Sequence, residues 1–196
     1  MDPIALRTDR LLLDQPTLDD IDAITETCRG PECERFLTTP WPYEREHARG
    51  FVADYVPDCW RTGGEATWAI RLDGRFAGVI GVMVPTSEVG FWLVRELRGR
   101  GIMPEAVRAV AEWAVSDTGL GLERLGWQCL PGNAASVAVA RKSGFEFTGW
   151  EPAWHPTRDG AHPDSPSGRY VPLAAGPEAA RAARESWQAL DTADWG

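Results

Sequence analysis

No stretch of eighteen consecutive apolar residues occurs in these 196 residues, so nothing in the chain reads as a membrane-spanning helix. Internal repeats and low-complexity blocks are absent too, which excludes solenoids and disordered arrays. Basic charge is in short supply: 20 lysines and arginines against 29 aspartates and glutamates leave a net charge of −9. Such a chain lacks the footprint of a non-specific nucleic-acid binder, and neither a nucleic-acid nor a membrane partner is expected. The acidity suits a cationic acceptor, though solubility alone accounts for it equally well. The four cysteines, Cys28, Cys33, Cys59 and Cys129, have no metal-ligand spacing and no histidine pattern between them, so no metal is expected. No leader pattern is visible, and the expectation is a soluble, cytoplasmic, thiol-reduced protein.

What the chain does have is concentrated between Gly90 and Ala106, GFWLVRELRGRGIMPEA. An aromatic and apolar run ends at Val94, a basic glycine-rich turn follows (Arg98-Gly99-Arg100-Gly101), and a helix opens with Pro104 and Glu105 in its first turn. The first N–H groups of a helix have no internal acceptor and carry partial positive charge, which suits a phosphate. Glycines admit close approach and arginines add forked donors. The other reading of the turn is a helix start with surface arginines. Neither Gly-x-x-x-x-Gly-Lys-Ser/Thr nor Gly-x-Gly-x-x-Gly is present, so a nucleotide-binding domain is the weaker alternative.

The remaining elements follow from periodicity and punctuation. Arg10–Asp14 reads as a strand, and Thr17 with Asp20 as the cap of a helix over Leu18–Arg29. Helical spacing of Ala48, Phe51, Val52, Tyr55 and Val56 predicts a second helix over Glu44–Trp60. Ala66–Leu72 and Phe76–Val84 form a hairpin about Asp73-Gly74, joined by Glu88–Val94. Met103 to Ala114 makes one helical face ending near Gly119. A strand over Arg124–Leu130, a helix over Asn133–Lys142 and a strand from Phe145 follow. His155–Gly168 reads as a loop, Arg169–Leu173 as a last strand, and Pro177–Leu190 as a helix whose final residues fray. The order marks a mixed α/β domain.

Taken together, these segments resemble the GNAT superfamily of acetyl-CoA-dependent N-acyltransferases. Arg98 and Gly101 fill the first and fourth places of its Arg/Gln-x-x-Gly-x-Gly/Ala motif, while Met103 departs from the small sixth residue. The Rim-type branch, which includes ribosomal-protein N-acetyltransferases, tolerates larger residues there. TDRLLLDQPTLDDIDAI looks like that branch's first strand and helix, and SEVGFWL like its glutamate-Gly-aromatic-Trp strand. QCLPGNAASVAVARKSGFEFTGW is similar to its Asn-x-x-Ser helix and following strand. The resemblance covers about residues 6–151.

It implies a GNAT fold: a mixed, mostly antiparallel sheet with helices on both faces, split near Val94. The domain would occupy residues 1–175, with a helical tail over 176–196. The implied reaction moves an acetyl group from acetyl-CoA to a primary amine, a protein or peptide N-terminus or a small molecule, by direct attack in a ternary complex. Arg98, Gly99, Arg100, Gly101, Ile102 and Met103 would cradle the phosphates. Trp92, Leu93 and Val94 would pair with the pantetheine arm like an added strand. Asn133 would bond the same arm and Ser136 would lie near the sulfur as proton donor or thiolate partner; the other reading of both is local helix capping, and Asn133 could serve as cap and contact together.

A base must take the ammonium's proton before attack. Glu88 is the leading candidate and His155 the rival, with solvent or neither as the remaining option; the other readings of the two are a solvated strand residue and a loop residue. Trp41 and Trp154 are the candidates to line the acceptor pocket, with packing of stiff loops the alternative for each. His47 and His162 read as surface residues. A homodimer is implied only by analogy. A different class, a non-catalytic acyl-CoA-binding sensor, would keep Arg98–Gly101 and Asn133 but not need Glu88, Ser136 or His155.

Overall fold

The computed structural model describes residues 1–190, so the end of the tail expected over 176–196 lies outside the described residues. It falls into two compact units, Met1–Ala109 and one beginning at Val110.

The first unit is an antiparallel meander covered by short helices. Its strands are β1 (Leu6–Arg7), β2 (Leu11–Asp14), β3 (Glu65–Leu72), β4 (Arg75–Met83) and β5 (Glu88–Leu93), each paired with the next. Asp73 and Gly74 turn the β3–β4 hairpin with both φ angles positive, 51° and 74°, the geometry that matches strand twist in a two-residue loop. Trp68, Ile70, Ile80 and Val82 are fully buried at its centre.

α1 (Ile21–Cys28) follows a single 3-10 turn at Leu18–Asp20. The expected cap forms: the Thr17 N–H donates to Asp20 Oδ2 at 2.8 Å. Arg71 on β3 then clamps Asp20 at 3.0 and 2.9 Å and Asp14 at 2.6 Å, tying helix entry to sheet. α2 (Pro31–Phe36) goes beyond the sequence expectation, although Gly30-Pro31 is a helix-start signal, with proline at the first helical position.

The helix expected over Glu44–Trp60 is three pieces: α3 (Arg45–Gly50), a π segment at Phe51–Tyr55 and α4 (Val56–Thr62). The Val56 N–H bonds the Phe51 carbonyl five residues back. Pro57, which has no N–H, cannot continue the regular ladder past that point. α5 (Ile102–Val115) starts directly after Gly101 and runs on into the second unit.

The second unit contains β6 (Gly126–Gln128), α6 (Ala134–Lys142), β7 (Phe145–Pro152), β8 (Asp164–Tyr170) and α7 (Gly176–Ser186). β8 lies between β6 and β7 and is antiparallel to both. This corrects the loop expected over His155–Gly168 and the last strand expected over Arg169–Leu173. The segment Ser165-Pro166-Ser167-Gly168 has loop composition, yet Ser165 and Ser167 are buried at 0% and 1% exposure. Small side chains are what allow it to fit: a Cβ on Gly168 would sit 2.7 Å from the Glu146 carbonyl and 3.3 Å from the Trp127 ring. The C-terminal helix packs on β7, where Trp187 Nε1 donates to the Phe145 carbonyl at 2.7 Å and Ser186 Oγ accepts the Phe147 N–H at 2.7 Å.

Candidate functional site

In the first unit, β5, the basic turn and α5 form one continuous device. Arg95–Leu97 makes a 3-10 turn after the strand, and the chain then reverses through Gly99 and Gly101, whose φ angles of 76° and 75° lie in the left-handed region. A side chain there would be strained, so the glycines are needed for the turn itself. The first bond into α5 runs from the Glu105 N–H to the Gly101 carbonyl at 3.2 Å, and helix geometry leaves the amides before it without an intrahelical acceptor. Arg98, Gly99, Arg100 and Gly101 are exposed, whereas the Ile102 and Met103 side chains are buried at 1% and 4%. Ile102 and Met103 can therefore offer a ligand only their backbone. Met103, which stands where the motif has a small residue, turns its side chain into the core.

The turn is held from behind by charge. Glu105 accepts from Arg10 Nε at 2.7 Å and from the Thr8 hydroxyl at 2.5 Å, while Arg10 Nη1 donates to the Arg100 carbonyl at 3.2 Å. Partial burial opposes ionisation of Glu105, but the Thr8 and Arg10 bonds outweigh it and hold the carboxyl below its ordinary range. Arg98 pairs with Glu32 of α2 at 3.4 Å and reaches the Leu93 carbonyl at 3.4 Å.

The strand register separates the roles of Trp92, Leu93 and Val94. The Val94 N–H donates to the Ala77 carbonyl of β4 at 2.8 Å. Alternation along an antiparallel pair then directs the backbone groups of Trp92 and Val94 toward β4 and those of Leu93 away from it. Leu93 is thus the residue whose backbone points off the meander. The Trp92 side chain packs with Phe76, ring centroids 5.8 Å apart, against the helical cluster around Ile24, Tyr43 and Val52. Glu88 begins β5 opposite Met83 and is buried at 6% exposure, so the solvated-strand alternative does not hold. Trp41, 37% exposed, stands on the loop between α2 and α3.

In the second unit, Asn133 and Ser136 meet as a helix cap. Asn133 Oδ1 accepts the Ser136 N–H at 3.1 Å, leaving the Asn133 amide nitrogen unused by the cap. Ser136 Oγ accepts from Trp127 Nε1 at 3.0 Å, so its own proton is the one it has to donate. The thiol of buried Cys129 donates to the Asn133 carbonyl at 3.8 Å, and burial pushes its pKa up to about 12. Replacing Ser136 by alanine removes the acceptor of a buried indole N–H and is expected to cost about 1–3 kcal/mol, read by thermal unfolding.

Trp154 and the half-buried His155 follow β7, and Gln128 fixes this strap, accepting the Trp154 N–H at 2.6 Å and donating to the Pro152 carbonyl at 3.2 Å. His47 and His162 are exposed as expected, but each has a partner. The Glu44 N–H donates to His47 Nδ1 at 3.0 Å, and His162 Nδ1 meets the Ala153 carbonyl at 2.5 Å. Glu65, Tyr55, Gln128 and Trp127 were not singled out from the sequence. A glycine inside a strand, Gly81, was the available sign that something approaches β4 closely.

Among the described residues, no group of three or more His, Cys, Asp or Glu side chains is placed to hold a metal, and no helix is long and apolar enough to cross a membrane.

Residues 10–146, more than two thirds of the chain, match the family model described as the acetyltransferase (GNAT) domain. The chain belongs to that family, in agreement with the ordered motifs. Over 83 residues it is 32% identical to Probable N-acetyltransferase YjcK of Bacillus subtilis (strain 168), a match covering 39% of this chain and only 45% of that relative. Its fold is similar to RimL, the ribosomal L7/L12 alpha-N-protein acetyltransferase solved in complex with coenzyme A. That likeness has TM-score 0.72 and 19% identity, covering 86% of this chain and 98% of that one. The acetyltransferase from Agrobacterium tumefaciens str. C58 is 28% identical with TM-score 0.68, covering 87% and 96%.

Proposed function

We propose that this chain is an N-acetyltransferase that moves an acetyl group from acetyl-CoA to a primary amine by direct attack in a ternary complex. The observation that carries the reading is the surface turn Arg98–Gly101, two left-handed glycines placed directly before α5 and backed by Arg10. Its amides and arginines suit the phosphates of acetyl-CoA. The Leu93 N–H suits the thioester oxygen, since it is not directed to β4. Asn133 has a spare amide for the pantetheine arm, and Ser136 a hydroxyl proton for the departing thiolate.

Glu88 is the proposed base, with His155 as the rival. What supports Glu88 is its place on the strand leading to Leu93, where it is buried at 6% exposure. The acceptor is a protein or peptide N-terminus or a small amine, with Trp41 and Trp154 near it. RimL, by its name, acts on the alpha-amine of a ribosomal protein. The reading extends to a cytoplasmic enzyme of residues 1–175 with a C-terminal tail whose described part holds helix α7, Gly176–Ser186, working without nucleic acid and able to pair as a homodimer.

Thermal unfolding with and without acetyl-CoA, together with amine-dependent thiol release, tests this. At about 100 times its dissociation constant, acetyl-CoA is expected to add about 2.7 kcal/mol of stability. Stabilisation with thiol release on an amine supports the transferase. Stabilisation without turnover on any amine overturns it in favour of an acyl-CoA sensor.

A further inference from the structure

Three adjacent strands of the first unit present a matched row of residues to one face. Thr67 of β3 pairs with Gly81 of β4, and Gly81 pairs with Gly90 of β5. One step along, Glu65 pairs with Met83, and Met83 with Glu88. Directly paired residues and those two apart share a face, so Glu65, Thr67, Gly81, Gly90, Glu88 and Trp92 all look the same way. It is the face under the helices, because Trp92 packs into their cluster and Tyr55 of the π segment reaches down to Glu65.

The Glu65 carboxylate is held on this face with unusual completeness. Tyr55 Oη donates to Oε2 at 2.6 Å and Thr67 Oγ1 donates to Oε1 at 3.0 Å. The carboxylate lies over Gly81, where an added Cβ would stand 2.2 Å from Oε1, so only glycine leaves room for it. Both donors are neutral, which fixes the group without cancelling its charge, and each oxygen keeps a lone pair for another donor. Burial, and then Glu65 itself, push the Tyr55 phenol far above its ordinary range, so it remains a donor at any working pH. The Phe51 and Tyr55 rings stack 5.9 Å apart beside it.

The next strand is open. Gly90 is exposed, and a Cβ built there meets nothing within 4 Å, so the helical cover stops short of it. Hydrogen-bonded antiparallel partners have α-carbons about 5.5 Å apart, which puts the carboxylate over Gly81 within reach of a group seated over Gly90. Gly90 lies on the same strand as Leu93, three residues before the backbone proposed to meet the thioester.

We propose that Glu65, lodged on Gly81 and fixed by Tyr55 and Thr67, is the positioning residue that seats the acceptor as an ammonium over Gly90. This deepens the transferase reading and rests on it. It also commits the acceptor to a class: a protonated primary amine in an aliphatic or peptide setting, drawn in by charge and by the aromatic rings. Glu65 takes no part in bond making; the proton leaves to the base, and Glu65 sets where the nitrogen waits.

The test measures steady-state kinetics with three probes: a hexapeptide with a free amino-terminal serine, spermidine and glucosamine. For the probe turned over best, Glu65→Gln is expected to raise the amine KM about tenfold or more, the scale of a lost charged hydrogen bond, with kcat changed less than about threefold. The KM for acetyl-CoA should not move. Tyr55→Phe should raise the amine KM less, since it loosens the carboxylate without removing it. Gly90→Val should fill the seat and abolish amine turnover, while the unfolding midpoint and the stabilisation by acetyl-CoA stay near wild type. An unchanged amine KM in Glu65→Gln, or full turnover by Gly90→Val, overturns the proposal while leaving the transferase reading intact. Wild-type protein that acetylates none of the probes overturns the acceptor class, and failure of acetyl-CoA to stabilise it overturns the transferase reading beneath it.

Discussion

Gly101→Val is expected to abolish stabilisation by acetyl-CoA and, with it, acetyl transfer. The reason is local. Gly101 sits at φ 75° immediately before α5, a conformation that costs a β-branched residue on the order of 1–3 kcal/mol, so the turn must rearrange. Rearrangement removes the amides proposed to meet the phosphates, and charge-assisted bonds are worth about 1.5–3 kcal/mol each. Losing two of them weakens binding roughly a hundredfold or more. The fold itself should survive, because Gly101 is exposed and an added Cβ there has only the Arg10 guanidinium near it, at 3.6 Å. The check is calorimetric titration of acetyl-CoA alongside unfolding of the free protein. Unchanged affinity would show that the phosphates bind elsewhere.

Arg71→Met is expected to have the largest effect on stability. The guanidinium is 13% exposed and joins Asp20, 5% exposed, to Asp14, 31% exposed. Removing it leaves the Asp20 charge buried with only its cap bonds, a change that typically costs about 3–5 kcal/mol. The sign of the pH dependence follows from Asp20. Burial raises its pKa, but the Arg71 bond and the Thr17 backbone outweigh this, so the folded value lies below the ordinary 3.8. The stabilisation is therefore present above about pH 4 and is lost as pH falls through the folded value. In Arg71→Met burial is opposed only by Thr17 and the carboxyl is pushed upward, so the gap between the two proteins should narrow as the medium is acidified. Urea unfolding at neutral and mildly acidic pH reads both the size and the trend. A gap independent of pH would mean that the loss comes from packing of the arginine stem.

The same two examples show why some features were readable from the chain and others were not. The glycine turn into α5 was legible because glycine placement, helix start and charge lie within ten consecutive residues. The Thr17–Asp20 cap was legible for the same reason, but its clamp by Arg71 was not, since 51 residues separate acid from base. Asn133 and Ser136 were found together as neighbours on a helix. The indole that fixes the serine hydroxyl, Trp127, belongs to another element, and nothing in its own surroundings marks it. Glu88 stood out by its position before an aromatic strand, whereas Glu65 at the head of a strand looked ordinary.

By itself, then, the sequence determined the features governed by short-range physics: the Asp73-Gly74 hairpin, the helix caps, the turn into α5 and membership of the GNAT family. Backbone conformation and capping bonds are settled within a few residues, and the order of such signals is enough to name a family. Tertiary structure alone decided which distant groups meet. It placed Ser165–Gly168 as a central strand despite loop composition, because small residues were the ones that could fit beside Trp127 and Glu146. It laid the Glu65 carboxylate over Gly81 beneath Tyr55. Such placements arise from pairing and burial between segments far apart in the chain, where the gain from packing outweighs any local preference.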